Sequence, residues 1–402
     1  MKRTACVNEE RQSLQPIHNA KIHWFIKQLL RYVIITIWTI PMVGQNQPIP
    51  GSWQLDSYLP ILKGKRVGIV MNHASLVENT LLVDTLLAHG IDVQKIYVPE
   101  HGFTGKVPPG VPVTDTSYRD IRVVSVYGKT KEFPPELLEG IDILLFDLQD
   151  VGVRVYTYIS TLFYAMDACS RTEIPLVVLD RPNPNIDVID GPVLTDSSLR
   201  SFVGVVPVPL SYGMTIGELA LMINGENWLP SEKKCQVIVV PVKNYSRSTV
   251  YTPPVPPSPN LRTLRAIRLY PVLVLFEGTS WSVGRGTQTP FELICREQPT
   301  SAPSCFSRKG KDCCGFSFRS IPMDSLLNWD ELPFHWVVQA YLWHKQHIPE
   351  KPFFNSYFNK LTGDRKVREL IEKGADGQVI KNLWQHQVQQ FKEQSRKYYL
   401  YK

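Results

Sequence analysis

The run Ile141-Asp-Ile-Leu-Leu-Phe-Asp-Leu-Gln-Asp150, continued by Val151-Gly-Val-Arg154-Val-Tyr156-Thr-Tyr158-Ile-Ser160, decides the fold class. Ile143, Leu144, Leu145, Phe146 and Leu148 are apolar without alternation, the pattern of a strand buried on both faces. The strand ends in Asp147, Gln149 and Asp150, passes a glycine, Arg154 and two tyrosines, and enters an apolar helical stretch from Leu162 to Ala168. A buried strand that ends in carboxylates and feeds a helix marks the edge of an open α/β sheet where ligands bind. Either aspartate can also serve as a helix cap. The company of Arg154, Tyr156 and Tyr158 favours a site.

Outward from this strand the same pattern repeats. Lys65 to Met71 reads as a strand ending in Asn72 and His73, and Asn79 to His89 as a helix closed by Gly90. Val93 to Val98 is a strand ending in Pro99-Glu100-His101-Gly102-Phe103, and Ile121 to Val126 one ending in Tyr127-Gly128. Pro175 to Leu179 ends in Asp180-Arg181-Pro182-Asn183-Pro184-Asn185. Strands separated by helical segments predict βαβ units and a Rossmann-like, doubly wound, mostly parallel sheet. In such a sheet all these polar strand ends share one edge and converge on one cleft.

Beyond residue 195 prolines become dense, above all in Tyr251-Thr-Pro-Pro-Val-Pro-Pro-Ser258-Pro-Asn260. This segment is expected to wrap over a surface, because it lacks backbone donors. Thr215 to Gly225 reads as a helix, Gln236 to Val242 as a strand, and Leu269 to Phe276 as a strand ending in Glu277-Gly278-Thr279. Residues 333–348 and 364–397 read as amphipathic helices. The expected organisation is a leader at 1–45, a catalytic lobe at 46–195, and a smaller α+β lobe at 196–402 that completes the cleft.

The 402 residues carry a net charge of +7 with 43% apolar and 20% charged residues, a globular composition. No block of like charges and no nucleic-acid-binding motif is present, so nucleic acid is not an expected partner. Lys21, Lys27 and Arg31 precede the apolar run Tyr32 to Ile40, which closes at Pro41-Met-Val-Gly44-Gln45. That is the arrangement of a secretory signal peptide, shorter than the roughly 20 apolar residues of a membrane span. Secretion or a periplasmic location is expected, with an uncleaved anchor as the other reading and no stable span after leader cleavage. Of seven cysteines, Cys6 falls in the leader. The other six lack metal-ligand spacing and read as buried or incidental thiols, with a bridge conceivable among the four at 295–314.

The chain contains no Gly-x-Gly-x-x-Gly after its first strand, no phosphate loop, no His-Glu-x-x-His and no Gly-x-Ser-x-Gly elbow. Dehydrogenase, kinase-like and serine-hydrolase readings lose support, and no cofactor is expected. Glu100 is the best single acid, framed by Pro99 and Gly102 and flanked by His101 and Phe103. A carboxyl held against an aromatic wall suits a general acid; the plainer reading pairs it with an arginine. Glycoside cleavage needs a second carboxyl, about 5–5.5 Å away for retention or about 6.5–9.5 Å for inversion. Asp147, Asp150 and Glu277 all qualify from sequence. His73, His101, Asp147 and Asp150 also make a metal site conceivable, although their spacing does not call for one. Tyr127, Tyr156, Tyr158 and Tyr212 offer faces for a sugar. Arg154, Arg181 and Arg285, the last in the tight Gly284-Arg-Gly286 turn, suit a carboxylate ligand.

Pro99 to Phe103, Phe146 to Arg154 with Tyr156 to Ser160, and Leu179 to Asn185 together resemble the exo-β-N-acetylmuramidase NamZ family. So do Asp190-Gly-Pro192, Gly213 to Glu218, Ser258-Pro-Asn260, Phe276-Glu-Gly-Thr279 and Ser282 to Thr287. The resemblance spans about residues 55–402. It implies a glycosidase that removes non-reducing terminal β-linked N-acetylmuramic acid from peptidoglycan-derived saccharides, with the catalytic glutamate at Glu100. The lactyl carboxylate of that sugar would occupy the arginines. Glu100, Asp147 and Asp150 are thus the candidate catalytic groups. Asn72, His101, Gln149, Arg154, Tyr156 and Asp180 are candidate substrate contacts, as are Arg181, Asn183, Asn260, Glu277 and Arg285. The Ser- and Cys-rich segment Cys295 to Arg319 departs from the family pattern, so a catalytically silent muropeptide-binding protein is the alternative.

Overall fold

After Arg66, the strand Arg66–Met71 (β1) is buried at every residue, and it stands at the centre of the main sheet for that reason. The other strands are Asp92–Val98 (β2), Thr116–Tyr118 (β3), Ile121–Ser125 (β4), Ile143–Asp147 (β5), Leu176–Leu179 (β6) and Val237–Val240 (β7). Their order is β7-β6-β5-β1-β2-β4-β3. Every neighbouring pair is parallel except β3 with β4. The computed structural model describes residues 47–128, 131–297 and 304–402, and Pro48–Lys402 forms one compact unit. The expected leader at 1–45, with Cys6, lies outside the described residues.

Alternation along β5 divides the core into two layers. Leu144 and Phe146 join the layer that holds Ile159, Leu162 and Met166 of Tyr158–Thr172 (helix α3). Ile143 and Leu145 join the opposite layer, with Tyr58 and Leu62 of Leu55–Leu62 (α1) and Val83 and Leu86 of Leu82–Ala88 (α2). Helices on both faces explain the unbroken apolar strand in physical terms, since neither of its faces meets water. The chain runs from β1 outward through β2 to β4, then returns to β5 on the other side of β1 and continues to β6 and β7. The β1/β5 boundary is therefore the switch point where the crevice opens beyond the carboxyl ends of the strands.

Four expectations need correction. The boundary at 195/196 falls inside this architecture, because β7 pairs in parallel with β6 and Ile216–Gly225 (α4) packs in the same core. Leu269 to Phe276 is not a strand: Leu264–Leu273 (α5) and a 3₁₀ turn at Val274–Gly278 occupy it. An apolar run does not by itself distinguish strand from buried helix, and here Thr263 caps the helix by accepting from the Ala266 N–H at 3.0 Å. The 364–397 segment is two helices, Arg365–Glu372 and Gly377–Ser395, separated at Gly374, whose φ is +81°. The four cysteines at 295–314 are not thiols. They form the disulfides Cys295–Cys313 and Cys305–Cys314, which staple the antiparallel sheet of Leu293–Arg296 (β8), Ser304–Arg308 (β9) and Lys311–Ser317 (β10), ordered β8-β10-β9. This sheet and the C-terminal helices make the smaller second lobe. Cys169 and Cys235 are buried and free.

Candidate active site

Glu100 follows β2 at a sharp reversal. The Gly102 N–H closes a turn onto the Pro99 carbonyl at 3.0 Å, and both His101 and Gly102 take positive φ, 73° and 71°. Glycine adopts that conformation freely, whereas for histidine it is strained by about 1–3 kcal/mol. His101 is held there by its Nδ1–H, which donates to the Val107 carbonyl at 2.7 Å. Burial pushes the His101 imidazole below its ordinary pKa, so the ring is neutral at pH 7.

Three donors from three separate segments hold the Glu100 carboxylate. Oε1 accepts from the Gly110 N–H at 2.9 Å and from the Tyr127 hydroxyl at 3.0 Å. Oε2 accepts from the Thr157 hydroxyl at 2.8 Å. All three donors are neutral, so the arginine pairing considered from sequence is not what the fold provides. The carboxylate is oriented and half-buried, yet still faces a cleft of about 400 Å³.

The opposite wall comes from the second half of the chain. Glu277 and Arg285 form an ion pair there at 2.5 Å, and Arg285 lies over the Phe291 ring at 5.1 Å. Tyr156, Tyr158, Tyr270, Tyr357 and Phe202 add aromatic surface. The Pro-rich segment wraps over the top as expected. Its Pro257 carbonyl accepts from the hydroxyls of Tyr156 and Tyr158 at 2.8 and 3.2 Å, its Pro256 carbonyl contacts His73 Nε2 at 3.0 Å, and its Ser258 lines the cleft.

Of the residues expected at the site, Glu100, His101, Tyr127, Tyr156, Tyr158, Glu277 and Arg285 line this cleft; the others do not. Asp147 is fully buried in a two-point ion pair with Arg181, Nε–Oδ1 2.5 Å and Nη2–Oδ2 2.8 Å. The Asp147 charge holds the Arg181 guanidinium protonated although burial opposes it. Neither group has a charge to spare for a ligand. Asp150 accepts from the Gly152 N–H at 2.7 Å and from the Tyr212 hydroxyl, and burial pushes its carboxyl up to about 6. Gly152 has φ +71° and a Cβ there would meet the Asn183 side chain, so the Asp-Val-Gly turn is a packing requirement.

Arg154 has no exposed surface and donates to four carbonyls: Pro192 and Val208 through Nη1 at 2.7 and 2.8 Å, Leu361 and Thr362 through Nη2 at 2.8 and 2.9 Å. It ties distant segments together and does not reach the cleft. Asp180 accepts from Thr215 and Tyr401 hydroxyls at 2.7 and 2.5 Å and from the Gly217 N–H at 2.8 Å. Asn183 bonds the Met214 carbonyl at 2.8 Å, and Gln149 the Pro182 carbonyl at 2.8 Å. Asn72 donates to the Tyr158 hydroxyl at 2.7 Å, behind the cleft wall. Asn260 bonds back to the Ser258 hydroxyl at 3.3 Å and is likewise outside the lining. Among the described residues no three His, Cys, Asp or Glu side chains stand close enough to hold a metal ion.

Sequence reasoning overlooked Thr157, Lys131, Phe202 and Tyr357. Thr157 sits between Tyr156 and Tyr158, and only its contact with Glu100 shows its importance. Lys131 donates to the Tyr127 hydroxyl at 2.9 Å and carries no sequence signal. The described residues of the divergent 295–319 segment are absent from the cleft lining, but Arg308 of β9 donates to the Arg285 carbonyl at 2.8 Å and braces that loop.

A doubly wound α/β sheet with a carboxylate-bearing, aromatic-walled cleft beyond the carboxyl ends of its strands has the make-up of an α/β enzyme of the glycosidase class. The N-terminal domain profile described as Exo-beta-N-acetylmuramidase NamZ matches residues 67–265, and its C-terminal counterpart matches 268–302 and 296–401. The two C-terminal pieces meet where the Cys295 to Arg319 segment departs. The chain is 37% identical over 379 residues to the peptidoglycan beta-N-acetylmuramidase NamZ of Bacillus subtilis (strain 168), covering 86% of this chain and 89% of that one. It superimposes on two DUF1343 family proteins from Bacteroides fragilis NCTC 9343. One has a TM-score of 0.79 at 38% identity, the other 0.73 at 28%, and each alignment covers 88% of this chain and 99% of the other. The chain belongs to the exo-β-N-acetylmuramidase NamZ family.

Proposed function

We propose that this protein is an exo-acting glycosidase that removes non-reducing terminal β-linked N-acetylmuramic acid from peptidoglycan fragments, in cell-wall turnover. The observation that carries the reading is Glu100, held at the cleft floor by three neutral donors and facing the open space. In this reading Glu100 gives a proton to the glycosidic oxygen as the bond to the sugar breaks. Glu277 is the second carboxylate, because Asp147 and Asp150 are inside the protein. His101, Tyr156 and Arg285 are substrate contacts.

The test is release of chromophore from a β-N-acetylmuramic acid aryl glycoside by wild type and by Glu100→Gln, with the N-acetylglucosamine analogue in parallel. Turnover of the muramic substrate that falls by about 10²–10⁴ in the variant is expected. Tight binding of the sugar without turnover by wild type would favour the silent binding protein instead. Export to the periplasm or the medium is part of the proposal, and two disulfides are in keeping with an oxidising compartment. Loss of residues up to about 45 from the mature protein, read by N-terminal sequencing, checks it.

A further inference from the structure

The cleft holds two acidic and two basic side chains, Glu100, Glu277, Lys131 and Arg285, beside a neutral His101. Of the three arginines anticipated as carboxylate receptors, two are committed inside the protein and the third is already paired within the cleft. Arg181 pairs with Asp147, Arg154 is spent on four carbonyls, and Arg285 is matched by Glu277 at 2.5 Å. We infer that Lys131 is the specificity-determining cation of the cleft, the group that receives the lactyl carboxylate of the muramic residue. This deepens the proposed function and rests on it.

Three observations support the assignment. Lys131 makes no ion pair with a described carboxylate. Its partner is the Tyr127 hydroxyl at 2.9 Å, and its ammonium stands 4.3 Å from the Tyr127 ring centre and 5.6 Å from that of Phe202. An ammonium carries three donors, and one bond to a phenol leaves two for an incoming anion. The same Tyr127 hydroxyl donates to Glu100 at 3.0 Å, so the phenol bridges the ammonium and the carboxylate. When Glu100 carries the proton that acid catalysis requires, the negative end of this bridge disappears and Lys131 is left without a counter-charge. A substrate carboxylate restores it. A sugar without a lactyl group does not. Lys131 is exposed at the cleft edge, so its replacement does not disturb the core.

The experiment compares kcat/KM for the muramic acid aryl glycoside and for its lactyl methyl ester in wild type, Lys131→Met, Lys131→Arg and Arg285→Met. Wild type is expected to favour the free acid. In Lys131→Met that preference should fall about 10- to 100-fold, the worth of a charge-assisted hydrogen bond, with the loss larger on the free acid than on the ester and Lys131→Arg restoring part of it. Equal losses on both substrates would make Lys131 a positioning residue for Tyr127, and a collapse of the preference in Arg285→Met alone would make Arg285 the receptor. Either result overturns the inference. Calorimetric binding of free N-acetylmuramic acid to the same variants separates the two levels. If wild type fails to cleave either glycoside but Lys131→Met loses the sugar, the glycosidase reading falls and the receptor stands. Unchanged affinity in Lys131→Met removes the receptor whatever the turnover.

Discussion

The Thr157 hydroxyl lies 2.8 Å from Glu100 Oε2 across a sequence separation of 57 residues. It joins the end of β2 to the segment that enters α3, the two connections that part at the β1/β5 switch point. With Tyr127 and the Gly110 N–H it sets the direction in which Glu100 faces the cleft. Thr157→Val keeps the shape and removes the donor. We expect kcat on the muramic glycoside to fall about tenfold or more with KM little changed, since reorienting an acid costs rate before affinity. Tyr127→Phe should act in the same sense, and the double variant should lose less than the product of the two, because both serve one carboxylate. Fully multiplicative losses in steady-state kinetics would show that the two donors act separately.

The Asp147–Arg181 pair is structural and its removal should be read in stability. Asp147→Asn leaves a buried guanidinium without its charge partner, at a cost of about 3–5 kcal/mol. Asp147→Asn with Arg181→Met should recover part of that in urea unfolding. Protein that remains folded should keep its kcat. A large kcat defect in well-folded Asp147→Asn would return Asp147 to the reaction.

Arg154 predicts a similar separation between stability and activity. Arg154→Met strands carbonyls at Pro192, Val208, Leu361 and Thr362, and a loss of at least about 3 kcal/mol in chemical denaturation is expected. A variant as stable as wild type but weakened in KM would instead place Arg154 in contact with substrate.

Asp180 gives a prediction with a definite sign. Burial raises its carboxyl from 3.8 to about 7, against the pull of the Tyr401 and Thr215 hydroxyls. Between about pH 4 and pH 7 the folded protein keeps a proton that the unfolded chain has released, so the contribution to stability falls as pH rises. The unfolding free energy of wild type, relative to Asp180→Asn, should therefore drop by about 2–4 kcal/mol across that window. Asp150, raised to about 6, acts in the same sense in both proteins and cancels in the difference. A difference that stays level or rises with pH would mean that Asp180 is ionised in the fold.

The strand ends show how far residues could be read in order. Runs such as Val67 to Met71 and Ile143 to Phe146 are apolar on both faces, and only a sheet covered on both sides accepts such strands. The parallel sheet, and the single edge carrying Asn72, Glu100, Tyr127, Asp147 and Asp180, followed from that. The Leu269 to Phe276 run reads as a strand for the same reason although it is helical, because burial on all sides looks alike in a helix and in a strand. Glu100 was legible from its Pro-Glu-His-Gly frame, whose turn pushes the side chain out of the sheet.

What the amino-acid sequence determined by itself was the layer architecture, the edge where chemistry gathers and the kinds of group present there. Which of those groups line the cleft was decided only by the tertiary structure. Asp147 ends one strand and Glu100 follows another, but Arg181, 34 residues from Asp147, neutralises one, and hydroxyls and an amide leave the other facing the cleft. A charged side chain in a protein interior must find its partner there, because water cannot reach it. That partner is chosen by packing across the chain, which local sequence does not record.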